Sequence, residues 1–320
     1  MSQVQPWSVD STVHVDHVHV IESLPPDQQS WYYRTGARLF GELQDACART
    51  PVEPHLHIVR TRDNLCALLR GVIGEAESGH FPLLHFETHG VERAPGKTTT
   101  SIGISLASGE VMPWRDLAPY LVAINEATRL NLIVFVSACY GLDIATLFQP
   151  LEPAPARIVI GPMRAIDVPE IDRATRAFYH SLFRDRDGVA AATAMNATIE
   201  PSRMPFLVLT AEWMFMQILL GYFNDATSET EVAARAERVV VGMILRGMPP
   251  AVAARQREPL RTFLRDRKHL FDSTYRRYFF AEKYPEIADR FRMTYESCFQ
   301  EASRTDEEVT STLAESAEDG

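Results

Sequence analysis

The chain has 320 residues, a formal net charge of -10 and a hydrophobic fraction of 46%, which is ordinary for a globular protein with its own core. Six of the negative charges lie among residues 306–319, so residues 1–305 carry only about -4, which argues against nucleic acid as the main partner. The four cysteines include no CxxC pair, which excludes a disulfide framework and a cysteine-based zinc site.

Two features bear on the location of the protein. The first residues hold no basic segment followed by an apolar one, so we expect no signal peptide, and free thiols without an export signal predict a cytoplasmic protein. Residues 205–223 are strongly apolar, but Glu212 would place a carboxylate inside a membrane span, at a cost of roughly 2.5–3.5 kcal/mol. We therefore predict a buried strand followed by a helix there, and not an integral membrane protein.

Strands and helices alternate through residues 1–205. Apolar runs and alternating patterns predict strands at 13–21, 56–59, 83–88, 132–136 and 157–161. Helical spacing predicts helices at 25–49, 64–77, 114–127, 170–184 and 189–199. A hairpin is predicted with strands at 101–106 and 110–112. This order predicts an α/β domain with a mainly parallel sheet flanked by helices.

Beyond residue 205 the alternation fades. Residues 206–302 are predicted to form a mostly helical C-terminal region, and the acidic, aperiodic residues 303–320 a disordered tail. Six basic side chains of the helical region favour a solvated helix face over a surface for an acidic partner. They are Arg255, Arg257, Arg261, Arg265, Arg267 and Lys268.

Three histidines fall in the first predicted strand. His17 and His19 are two residues apart and would share one face of the strand, which suggests a metal site. No carboxylate or thiol cluster close by in the sequence completes such a site, so we interpret His14, His17 and His19 as polar strand positions. We expect no metal and no cofactor.

Two of the predicted strands end in residues with catalytic potential. His89 follows the strand at 83–88, and Cys139 follows the strand at 132–136. In a parallel sheet, sites form where the strands have their carboxyl ends. Either residue alone is more often a loop histidine or a small core cysteine, but a thiol and an imidazole together at two core strand ends favour catalysis. His85 is predicted to be a core or supporting residue, and Cys47, Cys66 and Cys298 are predicted to be core thiols.

The glycines beside these residues suit acyl transfer. A cysteine nucleophile acts as the thiolate, and an imidazole can take its proton near neutral pH. Gly90 has no side chain to shield its amide, so the amides of Gly90 and Cys139 could together bind an oxyanion, each donor contributing roughly 3 kcal/mol. Gly141 would allow a sharp turn just after the nucleophile.

An apolar run ending in His89-Gly90, followed by one ending in Ala138-Cys139-x-Gly141, resembles the caspase-like cysteine peptidases of clan CD. Within them it is most similar to the bacterial CHAT branch. The resemblance covers roughly residues 12–200 and includes Ile21-Glu22-Ser23, the hairpin, and the stretch 177–192. It implies a caspase-like fold with Cys139 as nucleophile and His89 as general base and acid. It also implies an oxyanion hole formed by Gly90 and Cys139.

The substrate pocket departs from the pattern of the family. Many relatives carry an acid two residues before the cysteine, and eukaryotic caspases carry glutamine there, whereas this chain has Ser137. Tyr140 stands where the eukaryotic caspases have arginine, so no preference for cleavage after aspartate or arginine carries over. Asp167 lies in the region that shapes the pocket in these relatives. It also suits the N-cap of a helix, with Glu170 at the N3 position, and we favour this role over the pocket, although both can coexist.

The resemblance leads to a specific functional hypothesis. We expect a cysteine endopeptidase, a thiol protease that cleaves a specific partner protein, with a role in bacterial defence or regulated cell death by analogy alone. The C-terminal region would serve activation or substrate docking, or bind a regulatory protein. The alternatives are a catalytically silent caspase-like module that binds partners, and another acyl-transfer reaction by the same dyad.

Overall fold

The protein is described by a computed structural model covering residues 8–9, 13–25, 28, 34–48, 50–92, 101–149, 151–203, 205–225 and 228–300. These residues fall into two compact units. The larger unit comes from the described parts of 11–149 and 153–213, and the smaller one from those of 1–10, 150–152 and 214–320. The predicted tail, residues 303–320, lies outside the described residues.

The strands are β1 Ser8–Val9, β2 His17–Ser23, β3 Glu53–Ile58, β4 Pro82–Glu92, β5 Ser101–Ser105, β6 Val111–Pro113, β7 Ile133–Ser137, β8 Ile158–Pro162, β9 Phe206–Thr210 and β10 Phe291–Arg292. The α-helices are α1 Thr35–Cys47, α2 Arg62–Glu77, α3 Trp114–Ala127, α4 Val168–Asp185, α5 Gly188–Asn196, α6 Ala211–Asp225, α7 Glu229–Leu245, α8 Pro250–Ala254, α9 Arg257–Arg265, α10 Arg267–Tyr278 and α11 Ile287–Arg290. A 3-10 helix, Gly141–Leu147, follows β7.

The larger unit is built on one sheet in the order β3-β2-β4-β7-β8-β9. The first five strands are parallel, and β9 pairs antiparallel with β8. The hairpin of β5 and β6 pairs with the far end of β4, which extends beyond the parallel ladder. The predicted α/β fold with a mainly parallel sheet is confirmed. The strand β9, which the sequence analysis assigned to the C-terminal region, completes the sheet.

Both faces of this sheet are covered. On one face, apolar side chains of α1, α4 and α5 pack in a single core with alternate residues of the strands, such as Val20, Phe135 and Ile160. The intervening strand residues, such as Phe86 and Val134, are buried as well, so the other face is also shielded from water. Strands buried on both faces form continuous apolar runs, which explains why β7 and β8 contain almost no polar residue.

Side-chain caps fix where several helices begin. The Thr61 hydroxyl accepts a hydrogen bond from the amide of Asn64 at 3.2 Å and starts α2. Asp167 does the same for α4 through the amide of Glu170, as its position in the sequence predicted. Such caps satisfy amides that the first helical turn leaves without partners, and each contributes about 1 kcal/mol.

The helix predicted at 25–49 is α1 over Thr35–Cys47, and most of the predicted residues before Thr35 lie outside the described ones. Among those that are described, the amide of Gln28 donates a hydrogen bond to the carbonyl of Pro25. The first strand spans His17–Ser23 rather than 13–21, because its pairing with both neighbouring strands starts at His17. The apolar stretch 205–223 forms the predicted strand and helix, β9 and α6. Within the described part of the chain, no helix is long and apolar enough to cross a bilayer.

The smaller unit has an aromatic core of its own. Phe215 lies within 5.1–6.1 Å of four further rings, measured between ring centroids, and β1 pairs antiparallel with β10 beside them. The four rings belong to Phe271, Tyr275, Tyr278 and Phe279. Burial of these aromatic side chains stabilises the packing of the short helices, since each ring removes a large apolar area from water.

Candidate active site

His89 and Cys139 line the same cavity, just beyond the carboxyl end of the parallel pairing between β4 and β7. In the parallel pairing of β4 with β7, Glu87 lies opposite Ser137, and His89 and Cys139 follow two residues later on each chain. Within β4, a step of two residues keeps His89 on the same face as Glu87, whereas Cys139 lies in the turn that follows β7. Glu87, His89, Ser137 and Cys139 line one cavity of about 160 Å³.

Gly90 lies against the backbone of the cysteine. A Cβ atom built on Gly90 would lie 2.0 Å from the carbonyl oxygen of Cys139. No side chain could be accommodated at this distance, so the two strand ends approach each other this closely only because position 90 is glycine. This geometry explains why histidine is followed by glycine here. Gly90 makes the close contact with the Cys139 backbone, and His89, the residue before it, carries the imidazole.

The chain turns immediately after Cys139. The carbonyl of Ala138 accepts a hydrogen bond from the amide of Gly141 at 2.9 Å, and the amide of Tyr140 donates to the carbonyl of Arg164 at 3.1 Å. The left-handed backbone of this turn falls on Tyr140, with φ 55°, and not on Gly141 as the sequence suggested. Gly141 is needed for space instead, because a Cβ there would lie 2.7 Å from the side chain of Val136.

His89 is exposed and is oriented by Gln28. Its Nε2 atom lies 2.7 Å from Oε1 of Gln28. With the amide oxygen facing the ring, Nε2 carries the proton and donates, and Nδ1 is the basic nitrogen. Sequence reasoning missed Gln28 because its segment was interpreted as the start of a helix. No local signal indicates that a turn after two prolines would bring it to a strand end sixty residues away.

The predicted pocket residues, Ser137 and Asp167, line the same cavity as the cysteine and the histidine. Ser137 is buried, and its hydroxyl has no hydrogen-bond partner among the described residues. Asp167 caps α4 and also pairs with Arg203 at 3.1 Å. The hydrogen bond from the amide of Glu170, together with Arg203, lowers the pKa of Asp167, so this carboxylate is charged and already has partners.

A buried hydrogen-bond chain lies behind the cavity. The hydroxyl of Tyr179 donates to Nδ1 of His85 at 2.7 Å, and Nε2 of His85 donates to Glu87 at 2.8 Å. The hydroxyl of Thr35 donates to the other oxygen of Glu87 at 2.6 Å. Burial raises the pKa of Tyr179 well above its ordinary value, so its hydroxyl keeps the proton it donates. This places His85 in the core, as predicted.

The other cysteines differ from Cys139 in their surroundings. Cys47 and Cys298 are buried, whereas Cys66 and Cys139 are half-buried, so Cys66 is not the core thiol that the sequence predicted. Burial raises the pKa of Cys47, and it raises that of Cys298 to about 11. These two thiols therefore stay protonated at neutral pH and react slowly with electrophiles.

The histidines of β2 belong to a larger cluster. His19 and His55 stack at 5.3 Å, His19 and His57 at 5.2 Å, and His17 and His55 at 5.3 Å, measured between ring centroids. Burial and the three neighbouring imidazoles lower the pKa of His19 to about 3. The carboxylate of Glu75 also lies 3.0 Å from His19. The sequence analysis found no carboxylate cluster close by in the chain, but α2 and β3 bring Glu75 and Glu53 to these histidines from distant positions in the sequence.

The basic cluster of the C-terminal region has acidic partners within the chain. Arg257 pairs with Glu237 at 2.7 Å, Arg265 pairs with Glu229, and Lys268 pairs with Glu296 at 2.6 Å. Arg261 pairs with Glu258 at 2.6 Å. With four of its six charges offset locally, the cluster fits the solvated helix face that the sequence favoured over a surface for an acidic partner.

Comparison with known proteins gives distant structural likenesses. The structure is similar to the Drosophila initiator caspase Dronc, with 10% identity, a TM-score of 0.40 and coverage of 63% of this chain and 81% of that chain. It is also similar to a secreted C11 cysteine protease from Bacteroides thetaiotaomicron in complex with an irreversible peptide inhibitor. There the identity is 11% and the TM-score 0.42, with coverage of 67% of this chain and 71% of that chain. No protein-family model and no curated protein matches the sequence. Likenesses this distant leave the function to be argued from the residues of the chain itself.

Proposed function

We propose that the chain is a caspase-like cysteine endopeptidase in which Cys139 is the nucleophile and His89 the general base and acid. The observation that carries the proposal is that these two side chains line one cavity at the carboxyl ends of paired strands, with Gly90 against the Cys139 backbone. A thiol and an imidazole so placed are the two groups that acyl transfer through a thioester requires.

The reaction would proceed in two stages. Nδ1 of His89 takes the proton of the Cys139 thiol, and the thiolate attacks the carbonyl carbon of a peptide bond. The amides of Gly90 and Cys139 stabilise the oxyanion, each by roughly 3 kcal/mol. His89 then gives its proton to the departing amine, leaving a thioester. Water, deprotonated by His89, hydrolyses the thioester and restores the thiol.

The cavity beside the dyad would receive the substrate side chain next to the cleaved bond. Its volume of about 160 Å³ suits one side chain. The hydroxyl of Ser137 has no partner among the described residues and offers a hydrogen bond to a polar group. The negative charge of Asp167 is partly offset by its ion pair with Arg203, so Asp167 adds less negative charge to the pocket than an unpaired aspartate would. We therefore propose that the pocket selects a polar side chain that donates hydrogen bonds.

The biological role is proposed from the resemblance to the CHAT branch. We propose that the enzyme cleaves a specific partner protein in the cytoplasm, in bacterial defence or regulated cell death. The C-terminal region, residues 206–302, would dock a regulatory protein or the substrate. No metal or cofactor is needed for the peptidase reaction, because the thiolate and the imidazole supply both the nucleophile and the proton transfer.

The direct test compares Cys139→Ala and His89→Ala with the wild type on a peptide library and on proteins encoded by neighbouring genes. We expect each variant to lose more than about 10³-fold in kcat/KM, since removal of one member of a catalytic unit abolishes most of its action. Cys66→Ala is the matched control, because Cys66 is an equally half-buried thiol outside the cavity, and it should keep full activity.

Labelling with a thiol-directed electrophile distinguishes the enzyme from a silent binding module. An activated Cys139 should be modified faster than the other three cysteines, and His89→Ala should remove this advantage. If Cys139→Ala and His89→Ala process substrates like the wild type, the assignment fails. Equal labelling of Cys66 and Cys139 without any cleavage would instead support a module that binds partners through the same cleft.

A further inference from the structure

The histidine cluster lies along β3 and at the amino end of β2, on the sheet face opposite Glu87 and Ser137. His17 and Glu53 are remote from Cys139, because His17 lies opposite Pro82 and the seven residue steps of β4 from Pro82 to His89 span roughly 23 Å. Its imidazoles and carboxylates come from β2, β3, α2 and the two loop segments just before β2 and β4. The members are Asp16, His17, His19, Glu53, His55, His57, Glu75 and His80.

Three of these residues offer ligand atoms that lie close enough together to hold a metal ion. One ligand atom each of His17, Glu53 and His55 lies within 4.8 Å of the other two. Nε2 of His17 and the nearest oxygen of Glu53 are 3.9 Å apart. Two ligands of a tetrahedral zinc ion lie about 3.4 Å from each other, given metal–ligand distances of about 2.1 Å. Small rotations of the side chains therefore bring the three atoms to coordination distance.

Asp16 prepares His17 for this role. Its carboxylate accepts a hydrogen bond from Nδ1 of His17 at 2.9 Å, which leaves the lone pair of the ring on Nε2, toward Glu53. A carboxylate behind a histidine is the usual orienting partner of a zinc ligand. Asp16, His17 and His80 also lie within 4.8 Å of one another, but a metal there would have to break this hydrogen bond.

His55 supplies an independent observation. Its Nε2 atom is buried and has no hydrogen-bond partner among the described residues. A buried polar atom without a partner costs free energy, so its presence calls for an explanation such as an ion. Glu53, in contrast, is exposed, which leaves a path by which an ion can enter.

We propose that His17, Glu53 and His55 bind one zinc ion, with Asp16 as the positioning residue of His17. Two imidazoles and one carboxylate form a ligand set that zinc accepts, with water as the fourth ligand. Since β3 is an edge strand of the sheet, the ion would fasten its first residue to the first residue of β2. This proposal replaces the expectation that the chain binds no metal, which rested on sequence neighbours alone.

The test uses the full chain with Cys139→Ser, so that the thiol of the candidate active site cannot hold zinc, after removal of metal with a chelator. Calorimetric titration with Zn²⁺ should give one equivalent of binding. Glu53→Ala should weaken it at least 100-fold, and because this side chain is exposed, the substitution should leave the fold intact. Asp16→Asn should weaken it about 10–100-fold, the effect of removing an orienting partner. His14→Ala, an exposed histidine outside the cluster, is the matched control and should bind as before.

Co²⁺ provides a second readout that is independent of activity. It should give visible absorption without a thiolate charge-transfer band, and His55→Ala should abolish the signal. The proposal is overturned if the chain binds no stoichiometric Zn²⁺, or if Glu53→Ala and His55→Ala bind it like the parent. It is also overturned if His80→Ala abolishes binding while Glu53→Ala does not, because the ion would then lie between Asp16, His17 and His80.

Discussion

At the scale of single residues, the candidate site depends on one position that has no side chain. In Gly90→Ala, the new Cβ would meet the Cys139 carbonyl oxygen at 2.0 Å, so the end of β7 has to move away. A displacement of about 1 Å in a catalytic group costs about 10²-fold in rate. We expect kcat/KM of Gly90→Ala to fall by at least that factor and the melting temperature to fall as well, measured by peptide cleavage and calorimetry.

The matched control for this prediction is Gly74→Ala in α2. A Cβ at Gly74 has nothing within 4 Å, so alanine there should keep activity and raise stability by about 0.5–1 kcal/mol. Full activity in Gly90→Ala would contradict the close approach of the two strand ends. Loss of activity in both variants would point to a general sensitivity of the protein rather than to this contact.

The sequence predicted part of this site because Cys139, His89 and Gly90 each follow an apolar run at a strand end. Their neighbours in the chain were enough to suggest the chemistry. Gln28 and Thr35 were not predicted to lie at the site, since only the turn at Pro25 and the start of α1 bring them there. Contacts that depend on where a helix begins are set by tertiary packing and have no local signature.

At the scale of elements, the hydrogen-bond chain from Tyr179 to Thr35 joins α4, β4 and α1. Tyr179→Phe removes the donor to His85 and leaves a buried imidazole nitrogen without a partner. We expect the free energy of unfolding to fall by about 1–3 kcal/mol, the usual cost of such a loss. Denaturant unfolding of both proteins measures it. A loss below about 0.5 kcal/mol, within the range of ordinary surface substitutions, would contradict a structural role for this chain of bonds.

The order of elements was predictable where periodicity is strong. Helix α3 matches its prediction residue for residue, and β7 and β8 are shifted by one residue, because long amphipathic or wholly apolar runs leave little choice. The histidine cluster shows the limit of this approach. Glu53 and Glu75 reach His17 and His19 only through strand pairing and helix packing, which sequence spacing does not encode.

At the scale of the whole molecule, the stability of the larger unit should depend on pH through Glu170. This buried carboxylate accepts hydrogen bonds from Arg164, in the segment after β8, and from Arg203, in the segment before β9. Burial alone would raise the pKa of Glu170, but the bonds from the two arginines outweigh it and hold the pKa below its ordinary value of 4.5. Glu170 therefore links three segments of the chain in its ionised form.

The sign of this pH dependence follows from the numbers of protons that the folded and unfolded chains bind. Below about pH 4.5 the unfolded chain protonates Glu170 while the folded chain does not, so the free energy of unfolding falls as the pH drops through the folded pKa. Above that range the contribution is fully present.

Replacing Glu170 with glutamine should lower the free energy of unfolding at neutral pH and make it fall less steeply as the pH is lowered, measured by urea unfolding from pH 7 to pH 3. Glu77→Gln, on the exposed end of α2, should follow the wild-type curve. Parallel curves for wild type and Glu170→Gln would show that the ion pairs of Glu170 do not contribute to the acid sensitivity of the fold.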